Sequence, residues 1–548
     1  MTGKQTVERF DQLEALRLPH EYLWQETAWL MNSRNYNGRG NVSGYVPHNE
    51  IYDTTLRTKS RMQANGITSM LYPRDRDWLV MRPAWEDRKN LSLEKVYREA
   101  GEAVMHYLRS SNFHTVNHRA IFDRSQLGTG TMRMKWEQDD QGEDVMNFCR
   151  FDPMNYVIDH DHAEKVDTFG ACYKWPAYRA AAMWGKENLS SKLQREVEDP
   201  QRRSTTHDFL VVIEKQPKWK LKKEAGNKGM AYTVRVVERD SKHEILDSGN
   251  DHFEIVSSRY EVDGSPWGYC PAHEILPDAY KANYAGKFMM VMGERAAVPP
   301  VMAPSYMKEE GVGLGAAEVN YYAETSAAGK NPVYELSGGG NYQVGMDIWR
   351  KLQDSIDEAY HGHLFNMFNR SERDMTATEA NMRREELNAQ ANPTLTALEQ
   401  DHTKPIVGWA FNSLVERGVI ELPDEAYNEV TGKPRMPQFA FDNTFTSNHK
   451  RSKAVEAMGM LDAIVNMAAA DGRANVHDIK KIQTRIWRDL GQDEDDLLSE
   501  DEYQEQQEAQ QQAAQQAQMA EMAQTAGGVA KDLSSVEDPE AMLGALSS

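Results

Sequence analysis

The run Asp159-His160-Asp161-His162 has the residue types of a metal site. On a strand, side chains two apart share a face, so His160 and His162 would point the same way and could share an ion. No third ligand group is evident, and short polar runs of this kind are usually solvated turns. The expectation is therefore a turn without metal. His361-Gly362-His363 is weaker, because residues two apart on a helix do not face each other. Nucleotide chemistry fares no better. A phosphate-binding loop needs glycine, four residues, then Gly-Lys-Ser/Thr. Gly329-Lys330 is followed by Asn331 and has Glu324 where the first glycine belongs. Gly311-x-Gly313-x-Gly315 follows no strand and opens no helix at the spacing a dinucleotide site requires, so it reads as a flexible loop. Neither a G-x-S-x-G elbow nor an H-E-x-x-H helix occurs. Cys149, Cys172 and Cys270 are odd in number and widely spaced, which gives neither a disulfide framework nor zinc spacing. The reading is a non-enzymatic protein with no catalytic residues, metal or cofactor, made in a reducing compartment.

The elements that carry these residues divide a chain of 548 residues, a length that suggests two to four structural units. Hydrophobic residues make up 40% and charged residues 27%, the profile of a globular protein. The net charge of −21 argues against a protein that grips nucleic acid, since tight duplex binding needs Lys and Arg to replace condensed counterions. It suits a surface past which DNA slides. The N-terminus lacks an apolar signal-like run, and the longest apolar stretches, Phe288–Met292 and Met467–Ala470, fall far short of a membrane span. A soluble protein is expected.

The first ~35 residues read as helix, with Pro19 interrupting the pattern. Further helices are expected over Ile51–Leu71, ended by Tyr72-Pro73, and Leu93–Ser110. From Leu127 to Val262 short strands dominate: Thr131–Trp136, Phe148–Phe151, Thr168–Trp175, Phe209–Lys215, Tyr232–Val237 and Phe253–Tyr260. A polar helix, Ala177–Glu198, sits among them, giving an α+β unit of mostly antiparallel strands. A helix over Ala272–Arg295 then ends at Pro299-Pro300, and a Gly-, Pro- and Ala-rich segment follows. A second helix, Met346–Asn369, carries the stripe Ile348, Trp349, Leu352, Ile356, Tyr360, Leu364 and Phe368. Thr376-Ala377-Thr378-Glu379 fits a capping box that opens a tract reaching Arg417, kinked at Pro393 and Pro405 and stopped by Gly418. Helices over Ser452–Ala468 and Val476–Leu490 precede a Gln/Ala-rich tail, helical or disordered. The fold class is α+β, predominantly helical.

Several stretches, in order, resemble the portal (head-to-tail connector) proteins of short-tailed bacteriophages. They are Ile51-Tyr52-Asp53-Thr54-Thr55, then Ile67 to Pro73 with Trp78, then Ser111-Asn112-Phe113 and Leu127-Gly128-Thr129-Gly130. Pro271, Leu276-Pro277-Asp278 and Val298-Pro299-Pro300 follow, and Thr376-Ala377-Thr378-Glu379 with Arg383 and Glu385 is the most specific. The resemblance covers roughly residues 10 to 490.

The resemblance implies a portal-type fold with wing, stem, clip and crown regions in a ring oligomer, typically of twelve copies, at one capsid vertex. Its parts fall as a wing over 1–270, stem helices over 271–295 and 346–369, and a clip over 296–345. A channel loop then spans 370–375, a kinked helix returning to the wing 376–445, crown-side helices 446–500 and the tail 501–548. Implied partners are the terminase large subunit, capsid and scaffolding proteins, a tail adaptor, and double-stranded DNA passing non-specifically. The implied location is the virion, with host cytoplasm during assembly. Arg370, Glu372, Arg373 and Asp374 are the DNA-channel candidates, and Tyr280, Phe288, Trp349, Leu352, Ile356 and Tyr360 the candidates for contacts between stem helices. A competing reading is another ring-forming head–tail adaptor or tail-tube protein, which would lack the helix–clip–helix insertion.

Overall fold

Val7, Phe10, Leu13, Trp24, Leu30 and Met31 are buried along one side of helix α1 (Gly3–Asn32). Pro19 does not interrupt it. The proline removes a single intrahelical hydrogen bond, and burial of Phe10, Leu13 and Trp24, at about 1.5–3 kcal/mol each, outweighs that loss. The computed structural model describes residues 2–32, 50–84, 87, 90–139, 141–202, 204–217, 230–304, 318–322, 334–335, 342–362, 393–428, 432–441 and 457–460. Arg370, Glu372, Arg373 and Asp374, the Thr376 capping box, Leu364, Phe368, the Val476–Leu490 helix and the tail lie outside them. So does most of the Ser452–Ala468 helix, of which 457–460 is described and helical.

Helix α2 (Thr55–Leu71) starts later than its pattern suggests, because Asp53 accepts a bond from the Thr55 N–H at 2.8 Å and holds the preceding residues out of the helix. Helix α3 (Leu91–Ser110) is capped by Asn90, whose side chain accepts from the N–H groups of Ser92 and Leu93. Helix α4 (Phe113–Leu127) follows after two residues and ends at Gly128, in the left-handed conformation at φ 79°. Helix α4 leaves only Thr115 and Arg119 exposed and buries polar residues, Asn117, Asp123, Arg124, Ser125 and Gln126, along with Phe113, Val116, Ala120 and Ile121.

Strand β1 (Leu79–Arg82) pairs antiparallel with β15 (Gln438–Phe441), which ties the end of this unit back to its start. Two antiparallel sheets form the middle. One has the order β3-β2-β9, from β2 (Thr129–Gln138), β3 (Asp144–Arg150) and β9 (Ile255–Arg259). The other has the order β4-β5-β6-β7-β8, from β4 (Tyr156–His160), β5 (Val166–Pro176), β6 (Thr206–Lys215), β7 (Tyr232–Glu238) and β8 (Glu244–Asn250). Trp24, Phe151, Tyr156, Phe169, Ile213 and Trp267 form a buried cluster on this five-stranded sheet. Two short antiparallel strands, β10 (Glu261–Val262) and β11 (Gly268–Tyr269), follow β9. The expected Ala177–Glu198 helix is in fact two, α5 (Ala177–Trp184) and α6 (Ser191–Glu198). Gly185, at φ 88°, breaks it in a conformation closed to most other residues.

Two kinks were expected in the tract toward Arg417, and beside Pro405 the structure has a π-helical turn, Glu399–Thr403. Proline has no N–H to give the preceding turn, and the wider π register absorbs the mismatch. The tract ends at Glu416, with Gly418 at φ 69° donating its N–H to Val415 O, as the sequence suggests. Met1–Asn443 forms one compact unit and Thr444–Ser548 a second.

Candidate functional site

The 271–369 region carries the site. Helix α7 (Leu276–Ala297) has Pro277 in its first turn and ends just before Pro299-Pro300. Helix α8 spans Tyr342–Ala359, not Met346–Asn369: it starts four residues earlier, and a turn with His361 at φ 50° closes it. The two run antiparallel. Near one end Gly345 lies so close to Met289 that a Cβ there would meet its sulfur at 2.8 Å, and near the other Ser355 donates to Asp278 at 3.4 Å. Between them, in the Gly-, Pro- and Ala-rich segment, a three-stranded sheet forms. Its strand β12 (Val301–Pro304) pairs parallel with β13 (Val319–Tyr322) and antiparallel with β14 (Tyr334–Glu335). Helix, small sheet, helix is thus a single excursion from the main body.

One short segment clamps both helices. The Asp53 carboxylate accepts from Trp349 Nε1 at 2.8 Å and Gln353 Nε2 at 2.8 Å, both on α8. On α7, the Asn283 side-chain oxygen accepts from the N–H groups of Tyr52 (2.6 Å) and Asp53 (3.1 Å), while its amide nitrogen donates to Glu50 O at 3.0 Å. Gly286 allows the close approach, since a Cβ there would stand 3.2 Å from Tyr52 O. An ion pair from Lys59 on α2 to Asp357 on α8 adds a further tie. Around this clamp Ile51, Tyr52, Gly286, Met289, Met290, Tyr342 and Trp349 line a cleft of about 560 Å³.

The candidates for stem contacts divide. Ile356 and Tyr360 are fully buried within this chain, in a cluster with Leu30, Met31, Leu56, Cys270 and Ala282, so both already have partners here. Tyr360 also donates its hydroxyl to Ser125 O at 3.3 Å, and burial pushes its pKa well up. Trp349, Leu352 and Tyr280 pack against the same cluster, with Tyr280 stacked on Trp29 and hydrogen-bonded to Glu26. Phe288 is half exposed and meets Tyr284 edge to face at 4.7 Å. Asn283, Gly286 and Gln353 were missed. An asparagine and a glycine interrupting the packed side of an apolar helix were the signal available.

The other resembling stretches turn out to be joints. Asn112 both donates to Phe148 O (2.9 Å) and accepts from Phe148 N–H (2.8 Å), fixing α4 to β3. At Gly130 a Cβ would stand 1.9 Å from Ala120 O, and at Gly128 2.0 Å from Gly268 O, so only glycine lets β2 lie this close. The Asp159–His162 run spans the end of β4 and its turn. Asp159 takes a bond from Arg9 at 2.7 Å, and Asp161 accepts the N–H groups of Ala163 and Lys165. Among the described residues no group of three or more His, Cys, Asp or Glu is placed to hold a metal, and no helix is long and apolar enough to cross a membrane.

A family model described as bacteriophage head to tail connecting protein matches residues 4–498. The chain belongs to this family. Among its relatives, the "Portal protein" of Salmonella phage epsilon15 is 23% identical over 429 residues, covering 75% of each chain. The "Probable portal protein" of Bordetella phage BPP-1 is 21% identical over 400 residues, covering 70% of this chain and 68% of the relative. The chain therefore pairs a mixed helix–strand body with a clamped helix–sheet–helix excursion.

Proposed function

We propose that this chain is the portal subunit of a short-tailed bacteriophage. Copies form a ring at one capsid vertex, through which the genome is packaged by a separate motor and later ejected, and on which the tail is seated. The observation that carries this reading is family membership over residues 4–498, together with similarity to a portal protein of one phage and a probable portal protein of another. The body over 1–270 is the wing, α7 and α8 are the stem, and the sheet of β12–β14 belongs to the clip. The clip faces the terminase during packaging and the tail adaptor afterwards; capsid and scaffolding proteins meet the ring's outer surface. The ring has about twelve copies, a closed cyclic assembly.

The subunit is a structural part and not a catalyst. A net charge of −21 suits a channel that must not hold DNA, because strong phosphate contacts would stall its passage. Within the loop over 370–375, Arg370 and Arg373 touch passing phosphates transiently, and Glu372 and Asp374 keep that contact weak. Replacing both arginines by alanine shortens the packaged genome or lets it leak; unchanged packaging and retention would dismiss this role. The function itself is tested by producing phage particles without this chain. Capsids empty of DNA and lacking tails are expected, with both restored when the chain is supplied in trans. DNA-filled, tailed particles made in its absence would overturn the reading.

A further inference from the structure

We infer that one face of the subunit, built by α2 and α4, binds the phosphate backbone of duplex DNA. That the polyanion is DNA rests on the portal reading above, and none of the residues of this face belongs to the loop over 370–375.

Asp and Glu make up 84 of the 548 residues, yet α2 contains neither and α4 contains only Asp123. Asp123 is 4% exposed and accepts from Arg150 Nη2 at 2.8 Å, so it offers solvent no free charge. Along α2, Arg57, Arg61, Asn65 and Ser69 recur every four residues and so share one side. On α4, Thr115 and Arg119 stand exposed one turn apart. The two rows are adjacent. His118 Nε2 donates to Asn65 Oδ1 at 2.7 Å, and the Arg61 guanidinium lies 6.0 Å from the centre of the Phe122 ring. Lys59 and Arg109 are already paired, with Asp357 and Asp77, whereas Arg61 and Arg119 have no ion pair among the described residues. Burial, and after it the neighbouring arginines, hold two α4 imidazoles below the usual histidine range: Arg119 and Arg61 act on His118, and Arg74 and Arg109 on His114. Cations, not carboxylates, therefore set the local field.

The residue types select DNA over an acidic protein. Protein contacts are anchored by aromatic and other large side chains in well-packed, desolvated pockets. Among the described residues no large apolar side chain is exposed on either helix. Arg, Asn, Ser and Thr are instead the side chains that donate to phosphate oxygens, positioning a duplex without reading its sequence. The rest of the chain is strongly acidic, at −21 overall, and its repulsion keeps the contact weak enough for DNA to move on.

Fluorescence anisotropy of a labelled duplex against the full-length protein, across a salt series, tests this. Wild type binds at low salt, and its log affinity falls linearly with log salt. Arg61→Ala combined with Arg119→Ala should make that slope shallower by about 2, at about 0.9 for each phosphate contact removed, and equally for duplexes of different sequence. Arg61→Lys combined with Arg119→Lys keeps both charges and the wild-type slope, which separates loss of charge from loss of fold. A wild type that does not bind duplex at low salt, or an alanine double variant with the wild-type slope, would overturn this surface. So would a poly-glutamate peptide that binds here while duplex does not, since it would assign the face to an acidic protein. Closed rings in any of these cases leave the portal reading standing. A chain that never forms rings yet binds duplex through Arg61 and Arg119 would overturn the portal reading and keep this surface.

Discussion

Replacing Asp53 by alanine should loosen α8 from the body of the subunit. Asp53 is 7% exposed and accepts three hydrogen bonds, from Thr55 N–H, Trp349 Nε1 and Gln353 Nε2. Bonds to a charged acceptor contribute about 1.5–3 kcal/mol each, but they are not additive, and the carboxylate's own desolvation offsets part of the gain. A net loss of about 3 kcal/mol is expected for Asp53→Ala. Asp53→Asn can keep its oxygen toward Trp349 and Gln353 and lose only Thr55, costing about 1–2 kcal/mol. Because a chain of this size need not unfold in two states, the proper readout is local hydrogen exchange in peptides from α8. At about 1.4 kcal/mol per tenfold, Asp53→Ala should speed exchange there by about 100-fold. Peptides from the five-stranded sheet should not change. Exchange in α8 within twofold of wild type would refute the claim that this carboxylate holds the excursion.

Gly130→Ala should abolish soluble folding, because the new Cβ would stand 1.9 Å from a backbone oxygen. Gly142→Ala, at φ 84° with open space around it, should cost only ~1 kcal/mol by chemical denaturation. Burial lowers the His273 pKa to about 4 and that of His402 to about 3, so both stay neutral in the fold and charge more readily when it opens. Their contribution is fully present above pH 6.5 and is lost as pH falls toward 4. Substituting His273 by Gln should flatten that part of a stability–pH curve by up to about 1.4 kcal/mol per pH unit. An unaltered slope would contradict the burial argument. In the unassembled native chain, a thiol reagent at pH 8 should modify exposed Cys149 and spare Cys270, which is buried with its thiol pushed up to about 12.

Much of the fold was legible because the pattern that specifies an element was local. The β-branched and aromatic runs of β5, β6 and β7 lie within a few residues of their expected bounds, as does the apolar side of α2. What was not legible depended on tertiary surroundings. Helix α4 shows no clean period, because Asn117, Asp123, Arg124 and Gln126 are buried among its apolar residues and only Thr115 and Arg119 are exposed. Strand β4 was hidden by Asp159 and His160, whose polarity reads as a turn although Arg9 pairs with the first. At the site, the Trp349 stripe was visible as apolar spacing, but its direction was not. That Ile356 and Tyr360 turn into their own subunit follows from Leu30, Leu56 and Cys270, which lie far away in sequence. Asp53 drew notice only through resemblance; its bonds to α8 span about three hundred residues, beyond any local pattern.

The portal reading is tested most directly by negative-stain electron microscopy, with native mass spectrometry, of the purified full-length protein. The account predicts closed rings of about twelve copies with a central hole of about 20 Å or more, wide enough for a B-form duplex whose major groove alone is about 12 Å across. A protein that remains a monomer or compact dimer, both alone and in the presence of capsid and scaffolding proteins, would contradict it.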